Sequence, residues 1–441
     1  MGRPDPRSDR ADPRSDGRGS ARRYLAFAAL VAAVAVVAVA LATAINGGSS
    51  SSSSKGVPAV APTSAARVPS STSPSTTAST GPGPLATPPP TRQEFGANVN
   101  RLFNDRTYSA GQIGQQLRAL KATGAAVARS DALWEATEPS APVDGVHRYD
   151  WSFDDAIATA LARHGLRWLP IIDYSAPWAQ SVAGVDHSPP RSAADYAAYV
   201  GALASRYGAG GSFWRGHPEL RADPVSTWEI WNEPDNPTFW SPKPDAARYA
   251  ALYEAARDAI LGFEPPAAVI VGGLTNPVAF IPALLTVAPD LRGHIDGIGL
   301  HPYGVDPAGV LSNVTKAHQV LAAAGVGDVP LYITELGWTT HPPSNPNYLP
   351  ESKRPTYLEQ TLAALARVRC GLAATVVYTW VTPERSPSDG QDWFGIHGPG
   401  DADTRDSAAF AAALSRVSGS ASRLCPAGGS VQAPTPPVGT L

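Results

Sequence analysis

The 441-residue sequence predicts an α/β fold in which eight parallel strands alternate with helices and close into a barrel, the (β/α)8 architecture. Eight short β-rich runs are found, and each is followed by a helix-like or loop-like stretch. Two of these runs are closed by glutamates, Glu233 and Glu335, which are 102 residues apart. That interval holds three strand-plus-helix units of roughly 35 residues, so Glu233 is expected after the fourth strand and Glu335 after the seventh.

The strands are predicted where β-branched and aromatic residues concentrate between turn residues. They are Phe95–Val99, Ala126–Arg129, Arg167–Ile172, Thr227–Asn232, Val269–Gly272, Gly297–His301, Leu331–Thr334 and Thr375–Trp380. Apolar spacing near 3.6 residues predicts helices at Ala110–Thr123, Phe153–His164, Ala193–Tyr207, Ala246–Leu261, Val310–Ala324, Tyr357–Val368 and Ser407–Val417. Because parallel barrel strands deliver their carboxyl ends to one face, the residues at those ends are expected to converge.

The segments before the barrel differ from it in composition. Residues 1–23 carry seven arginines against four aspartates, and Tyr24–Ile45 is an uncharged apolar run that would be about 33 Å long as a helix. We expect a single transmembrane signal-anchor in the cell membrane, with the basic tail in the cytoplasm and the catalytic domain outside the cell. Small residues at Ala40–Ala44 leave open a cleaved signal peptide and a secreted protein.

The rest of the chain divides into three further parts. Residues 46–92 form a Ser/Thr/Pro-rich linker, residues 93–426 contain all eleven tryptophans and form the barrel domain, and residues 427–441 are expected to be a disordered tail. In an exported domain Cys370 and Cys425 are expected to form a disulfide, although two buried free thiols are the alternative.

The net charge and the arrangement of possible metal ligands limit which partners and cofactors the protein can have. A net charge of −3 without a basic stripe excludes nucleic acid as a partner. No cluster of four metal ligands is visible, so neither a metal nor another cofactor is expected. We expect a monomer.

Glycoside hydrolysis requires two carboxyl groups that face one cleft. One protonates the leaving oxygen, and the other attacks the anomeric carbon. At the ~5–5.5 Å separation of retaining enzymes, one ionised carboxylate raises the proton affinity of the other. Arg129 and Tyr303 are expected to keep Glu335 ionised, and Asn232 to hydrogen-bond the sugar 2-hydroxyl. Arg129 could instead form a structural ion pair inside the barrel.

These strand ends resemble glycoside hydrolase clan A, the retaining (β/α)8, or TIM, barrels. The matching motifs are Asn232-Glu233-Pro234 on strand four, Glu335 on strand seven, Arg129 on strand two, His301-Pro302-Tyr303 on strand six and Trp380 on strand eight. The resemblance implies that Glu233 is the acid/base and Glu335 the nucleophile. Within the clan, the run from Trp228 to Asp235 is most similar to family 39 and next to family 5.

Aromatic residues are expected to shape the groove, because sugar rings present apolar faces that pack on indole. Trp380 is predicted as the platform beneath the reacting sugar, with Trp178 and Trp134 as further substrate contacts, although each could be a structural plug. His301 is expected at the substrate or in a hydrogen bond with Glu233.

The sequence therefore predicts a retaining glycosidase that cleaves β-glycosidic bonds of a polysaccharide or oligosaccharide by double displacement. Two alternatives stay open: a non-catalytic carbohydrate-binding envelope protein, and a transglycosylase that uses the same residues.

Overall fold

A computed structural model describes residues 92–264, 267–368, 371–383 and 385–417 of the chain. In this part, eight parallel strands form a closed barrel in sequence order, each paired with the next and the eighth with the first. The strands are β1 Glu94–Asn98, β2 Val127–Leu133, β3 Arg167–Asp173, β4 Thr227–Ile230, β5 Ala268–Leu274, β6 Gly297–Leu300, β7 Leu331–Ile333 and β8 Leu372–Val377. The (β/α)8 prediction is confirmed, and Glu233 and Glu335 follow strands four and seven as expected.

Helices cover the outside of the barrel. They are Ala110–Ala122, Trp134–Thr137, Ser152–His164, Ala193–Tyr207, Ser212–Gly216, Ala246–Phe263, Pro277–Val287, Pro307–Ala323, Arg354–Ala366 and Arg405–Val417, with short 3-10 turns at Asn100–Leu102, Pro289–Gly293 and Gly390–Trp393. The sequence prediction missed Pro277–Val287. Its internal Pro282 and its high apolar content hide the helical pattern, yet Asn276 caps its first turn and Pro277 begins it.

Buried tyrosines fasten the helices to the ends of neighbouring strands. Tyr196 donates its hydroxyl to the carbonyl of Ile172 on β3 at 2.7 Å, and Tyr249 donates to the carbonyl of Ile230 on β4 at 2.9 Å. Both phenols are fully buried, so each hydrogen bond satisfies a strand carbonyl that has no water to pair with. The strand ends that carry the polar residues below are thereby fixed against the outer helices.

Several sequence predictions fall outside the described residues. These are the basic tail, the anchor Tyr24–Ile45, most of the linker, the disordered tail and the Cys370–Cys425 disulfide. Within residues 92–417 as described, none of the helices combines the length and hydropathy that a membrane span requires.

Candidate active site

The chain leaves β4 through two residues in the left-handed region of backbone space, Trp231 at φ 68° and Glu233 at φ 45°. Residues other than glycine adopt this backbone conformation at an energetic cost, and residues in this conformation cluster at functional sites. The turn is held by Trp231, whose ring N–H donates to the carbonyl of Phe239 at 2.7 Å, and by Asp235, which accepts from the backbone N–H groups of Thr275 and Asn276. The result directs Glu233 toward the centre of the barrel mouth.

Glu233 is 6% exposed and lies between two nitrogen groups. Its Oε1 is 2.7 Å from Nδ1 of His301, and its Oε2 accepts from Nδ2 of Asn236 at 2.6 Å. The amide of Asn236 is oriented by a second contact, because its Oδ1 accepts from the backbone N–H of Thr238 at 3.0 Å. The carboxyl group therefore has one fixed position.

Hydrogen bonds beneath His301 determine which ring nitrogen carries a proton. The hydroxyl of Thr334 donates to Glu229 at 2.9 Å, so its oxygen accepts from Nε2 of His301 at 3.1 Å. With Nε2 protonated, the 2.7 Å contact between Nδ1 and Glu233 holds one further proton, either on the imidazole or on the carboxyl group. A side chain at Gly273 would collide with this ring, since a Cβ there would lie 2.0 Å from Nε2.

Glu335 stands after β7 between a cation and a hydroxyl group. Nη1 of Arg129 donates to Oε1 at 2.8 Å, and the phenol of Tyr303 donates to Oε2 at 2.9 Å. A cation and a hydroxyl group thus donate to the two oxygens of this carboxyl group. Arg129 and Tyr303 both contact Glu335 directly, as the sequence predicts.

Arg129 contacts both Glu335, after β7, and Asn232, after β4. Its guanidinium is 1% exposed, and it also donates to Oε2 of Glu229 at 2.6 Å, to Asn98 at 3.0 Å and to Oδ1 of Asn232 at 3.3 Å. The other side of Asn232 donates to the hydroxyl of Tyr174 at 3.0 Å. Glu229 is thus a structural partner of Arg129, and one guanidinium orients Glu335 and Asn232 together.

Oxygen atoms of Glu233 and Glu335 and a ring nitrogen of His301 lie within 4.8 Å of one another. Such a trio could in principle hold a metal ion. The two carboxylates, however, already accept from Arg129, Tyr303 and Asn236, and the guanidinium opposes a second cation.

Two of the three predicted aromatic contacts are fully buried. Trp134 is fully buried, stacks on Tyr199 at 5.7 Å and donates its ring N–H to Glu138, so it belongs to the core. Trp380 is also fully buried, with its ring stacked on His397 at 4.5 Å. Neither offers an open ring face. Trp178 is half-buried, and its ring N–H donates to the carbonyl of Glu138.

Tyr378, two residues before Trp380, directly follows β8, and its hydroxyl donates to Oε1 of Gln391 at 3.1 Å. It is half-buried, its ring packs on Phe394 at 5.3 Å, and burial followed by the charge of Glu335 raises its pKa. The sequence prediction missed Tyr378, Tyr174 and Asn236. Tyr174 directly follows β3, and Asn236 lies three residues beyond Glu233, so strand-end position was the signal available for both.

No protein-family model and no curated protein matches this sequence. Among solved structures, a family 39 glycoside hydrolase from Bacteroides cellulosilyticus WH2 matches with a TM-score of 0.52 and 16% identity, over 74% of this chain and 64% of that chain. A monomeric β-xylosidase from Caulobacter crescentus CB15 matches with a TM-score of 0.55 and 19% identity, over 74% of this chain and 69% of that chain.

A third structure is a GH5_18 enzyme from Bifidobacterium longum subsp. longum, in complex with Manβ1-4GlcNAc. It matches with a TM-score of 0.54 and 12% identity, over 76% of this chain and 80% of that chain. Compared with the family 39 structure from Bacteroides, this chain spans about two thirds of the length. The similarities establish a shared fold, and their families are those that the sequence motifs resemble.

Proposed function

We propose that this protein is a retaining glycoside hydrolase of clan A, in which Glu233 is the acid/base and Glu335 the nucleophile. The observation that carries the proposal is the unlike surroundings of two carboxyl groups whose oxygens lie within 4.8 Å of each other. Glu335 accepts from a guanidinium and a phenol, whereas Glu233 shares a proton position with His301. Two carboxyl groups with different neighbours can take different protonation states, as this chemistry requires.

The first step forms one bond and breaks another. A carboxylate oxygen of Glu335 attacks the anomeric carbon, the glycosidic C–O bond breaks, and Glu233 gives its proton to the departing oxygen. The product is a glycosyl ester on Glu335. In the second step Glu233 takes a proton from water, the resulting hydroxide equivalent attacks the same carbon, and Glu335 leaves as a carboxylate.

The neighbouring residues support these steps. Arg129 and Tyr303 donate to the oxygens of the nucleophile, and the same hydrogen bonds stabilise the negative charge that returns to Glu335 when the ester is broken. Asn232 is held by Arg129 and Tyr174 beside the reacting centre, where its amide can reach a sugar hydroxyl. Hydrogen bonds to the 2-hydroxyl strengthen as positive charge builds at the anomeric carbon.

We infer family 39 as the nearest family, with family 5 next, and β-linked polysaccharide or oligosaccharide as the substrate. The Asn232-Glu233-Pro234 motif, the second glutamate after β7 and the family 39 and family 5 structural neighbours support this inference. A β-xylosidase and an enzyme bound to Manβ1-4GlcNAc among those neighbours make xylans and mannose-containing glycans the first substrates to test.

The test compares the full-length parent chain with three single variants. Glu233→Gln and Glu335→Gln each remove one proposed catalytic carboxyl group, and Glu351→Gln is a matched control at an exposed position. New reducing ends are measured on xylans, β-glucans, mannans and bacterial exopolysaccharides. The parent and Glu351→Gln should cleave at equal rates, while each catalytic variant should lose about 10³-fold or more. NMR of the first product should show retained anomeric configuration.

The alternatives give different results in the same experiment. A transglycosylase would lengthen acceptor glycans while releasing few reducing ends. Binding without turnover on every glycan would reject the hydrolase in favour of a carbohydrate-binding protein. Inverted product configuration would reject the double-displacement mechanism.

We further propose that the anchor Tyr24–Ile45 and the linker hold the barrel outside the cell membrane, on the sequence argument alone. Protease treatment of intact cells that express the chain should remove the barrel from the membrane fraction. A barrel that stays protected until lysis would reject this location, and release into the medium would favour a cleaved signal peptide.

A further inference from the structure

Two aspartates beside the carboxylate pair have no part in the proposed reaction. Asp131 lies on β2 two residues after Arg129, and Asp173 ends β3, paired in register with Leu133. Alternate residues of a strand share a face, so Asp131 lies on the same side of β2 as Arg129. Arg129 donates to Glu335, and Leu133, which shares the face of Arg129 and Asp131, pairs with Asp173, so both aspartates lie on the sheet face that carries the carboxylate contacts.

Asp173 is buried without a hydrogen-bond partner. Its side chain is 1% exposed, and no group in the described part of the chain donates to its Oδ1. The carboxyl group of Asp131 accepts from Nδ2 of Asn104, and the side chain of Asn100 is a second donor to it. A buried carboxyl group without a donor is costly for the folded protein, and side chains of this kind persist where a ligand supplies the missing partner.

The nearby guanidinium makes its ion pairs with other carboxyl groups. Burial raises the pKa of Asp131 to about 6, and burial and then the charge of Asp131 raise the pKa of Asp173 well above its ordinary value. Arg129 acts against both shifts, but its ion pairs are with Glu229 and Glu335. The raised pKa values mean that each aspartate binds its proton more tightly than usual, and a bound cation would displace that proton by favouring the ionised form.

We propose that Asp131 and Asp173 form an ammonium-binding subsite, and that the glycone which this enzyme binds carries a free amino group. This inference rests on the proposed glycosidase function and names its substrate class, an amino sugar. A protonated amine has three N–H donors and one positive charge, so it can donate to the carboxyl group that lacks a donor and favour the ionised form of both aspartates. An N-acetylated sugar lacks the charge, and a uronic acid would bring a further carboxylate beside three acidic side chains.

The test compares tetrasaccharides that differ only at carbon 2: chitosan, chitin and cellulose fragments, which carry an amine, an acetamide and a hydroxyl group. Binding is measured by calorimetry on the full-length chain in a Glu233→Gln background, which prevents turnover. The amine should bind at least about tenfold more tightly than either neutral match. It should also release protons near pH 6.5, seen as a binding enthalpy that changes with the ionisation enthalpy of the buffer.

Asp173→Asn keeps the side-chain shape and removes the charge. It should cost about tenfold or more in amine affinity, abolish proton release, and change binding of the neutral fragments by less than about threefold. Asp131→Asn should weaken amine binding in the same direction, and Asp144→Asn, at an exposed loop position, should change nothing. Thermal unfolding of each variant confirms that it is folded.

Every outcome bears on the proposal. Equal binding of the three fragments, no binding of the amine, or an equal loss for all fragments in Asp173→Asn would overturn it. Cleavage of xylan or cellulose by the parent with those same results would leave the glycosidase function intact. Amine binding that depends on Asp173, with no glycan cleaved by the parent, would support the subsite and reject the hydrolase.

Discussion

Nδ1 of His301 lies 2.7 Å from Oε1 of Glu233, and the other nitrogen of the ring donates to Thr334. The imidazole and the carboxyl group therefore act as one proton-holding pair. Burial lowers the pKa of His301, but the charges of Glu335 and Glu233 outweigh burial, so its pKa is raised above the ordinary 6.5. The raised pKa of His301 helps the pair to keep the proton that leaves with the sugar oxygen.

Replacing His301 with Gln removes the titrating half of the pair while it keeps an amide near Glu233. We expect the alkaline limb of kcat/KM to move to lower pH, because the group whose raised pKa retains the proton is gone. The pH profile of kcat/KM for parent and variant measures this. An alkaline limb that stays in place would show that Glu233 holds the proton without His301.

Arg129 donates to Glu229 and Glu335 from a buried position, so its removal leaves two carboxylates without their cation. Arg129→Met should reduce the free energy of unfolding by about 3–5 kcal/mol and abolish activity. The double variant Arg129→Met/Glu229→Gln should recover part of the stability and none of the activity, because Glu335 still lacks its partner. Urea unfolding and kcat/KM separate the two roles. Recovery of activity in the double variant would contradict the pairing with Glu335.

Asn236 fixes Glu233 from the side opposite His301. Asn236→Ala should lower kcat/KM, which reports the first step, about tenfold for glycosides with poor leaving groups, which need protonation, and much less for dinitrophenyl glycosides, which do not. Comparing the two substrate types makes each the control for the other. An equal loss on both would indicate a general disturbance of the β4 turn rather than misplacement of the acid.

The sequence predicted the barrel and the convergence of five polar residues, because strand-end position constrains both. Glu233, Glu335, Arg129, His301 and Tyr303 converge in the structure, since a closed parallel sheet brings every strand end to one face. The aromatic residues were harder to place. The sequence pattern of a tryptophan at a strand end does not show whether its ring faces the groove or the outer helices. At the end of β8 the chain bends at Tyr378, and that bend determines which ring faces which side.

Tyr378 and Trp380 offer a direct test of that difference. Tyr378→Ala should lower kcat/KM about tenfold by removing a ring beside Glu335, with a small effect on stability because the side chain is half-buried. Trp380→Ala should instead reduce the free energy of unfolding by about 3–5 kcal/mol, because the indole is fully buried. Measuring both quantities on both variants checks the assignment, and the reverse pattern would restore Trp380 as the sugar platform.

His318 links the stability of the barrel to pH from a position on an outer helix. It is 6% exposed, neither ring nitrogen has a hydrogen-bond partner in the described part of the chain, and burial lowers its pKa to about 4. The unfolded chain takes up a proton at this residue below about pH 6.5, whereas the folded chain resists until about pH 4. Folding therefore loses stability as pH falls through this window, by about 2 kcal/mol between pH 7.5 and pH 5.

His318→Leu removes the titrating group and keeps the site apolar, so the variant should lose less stability than the parent over that interval by the same ~2 kcal/mol. His294→Leu, at an exposed position, is the matched control and should follow the parent. Urea unfolding at the two pH values measures the difference directly. Parallel losses in the parent and His318→Leu would mean that the ring gains a partner or water on protonation, and that acid sensitivity arises elsewhere in the barrel.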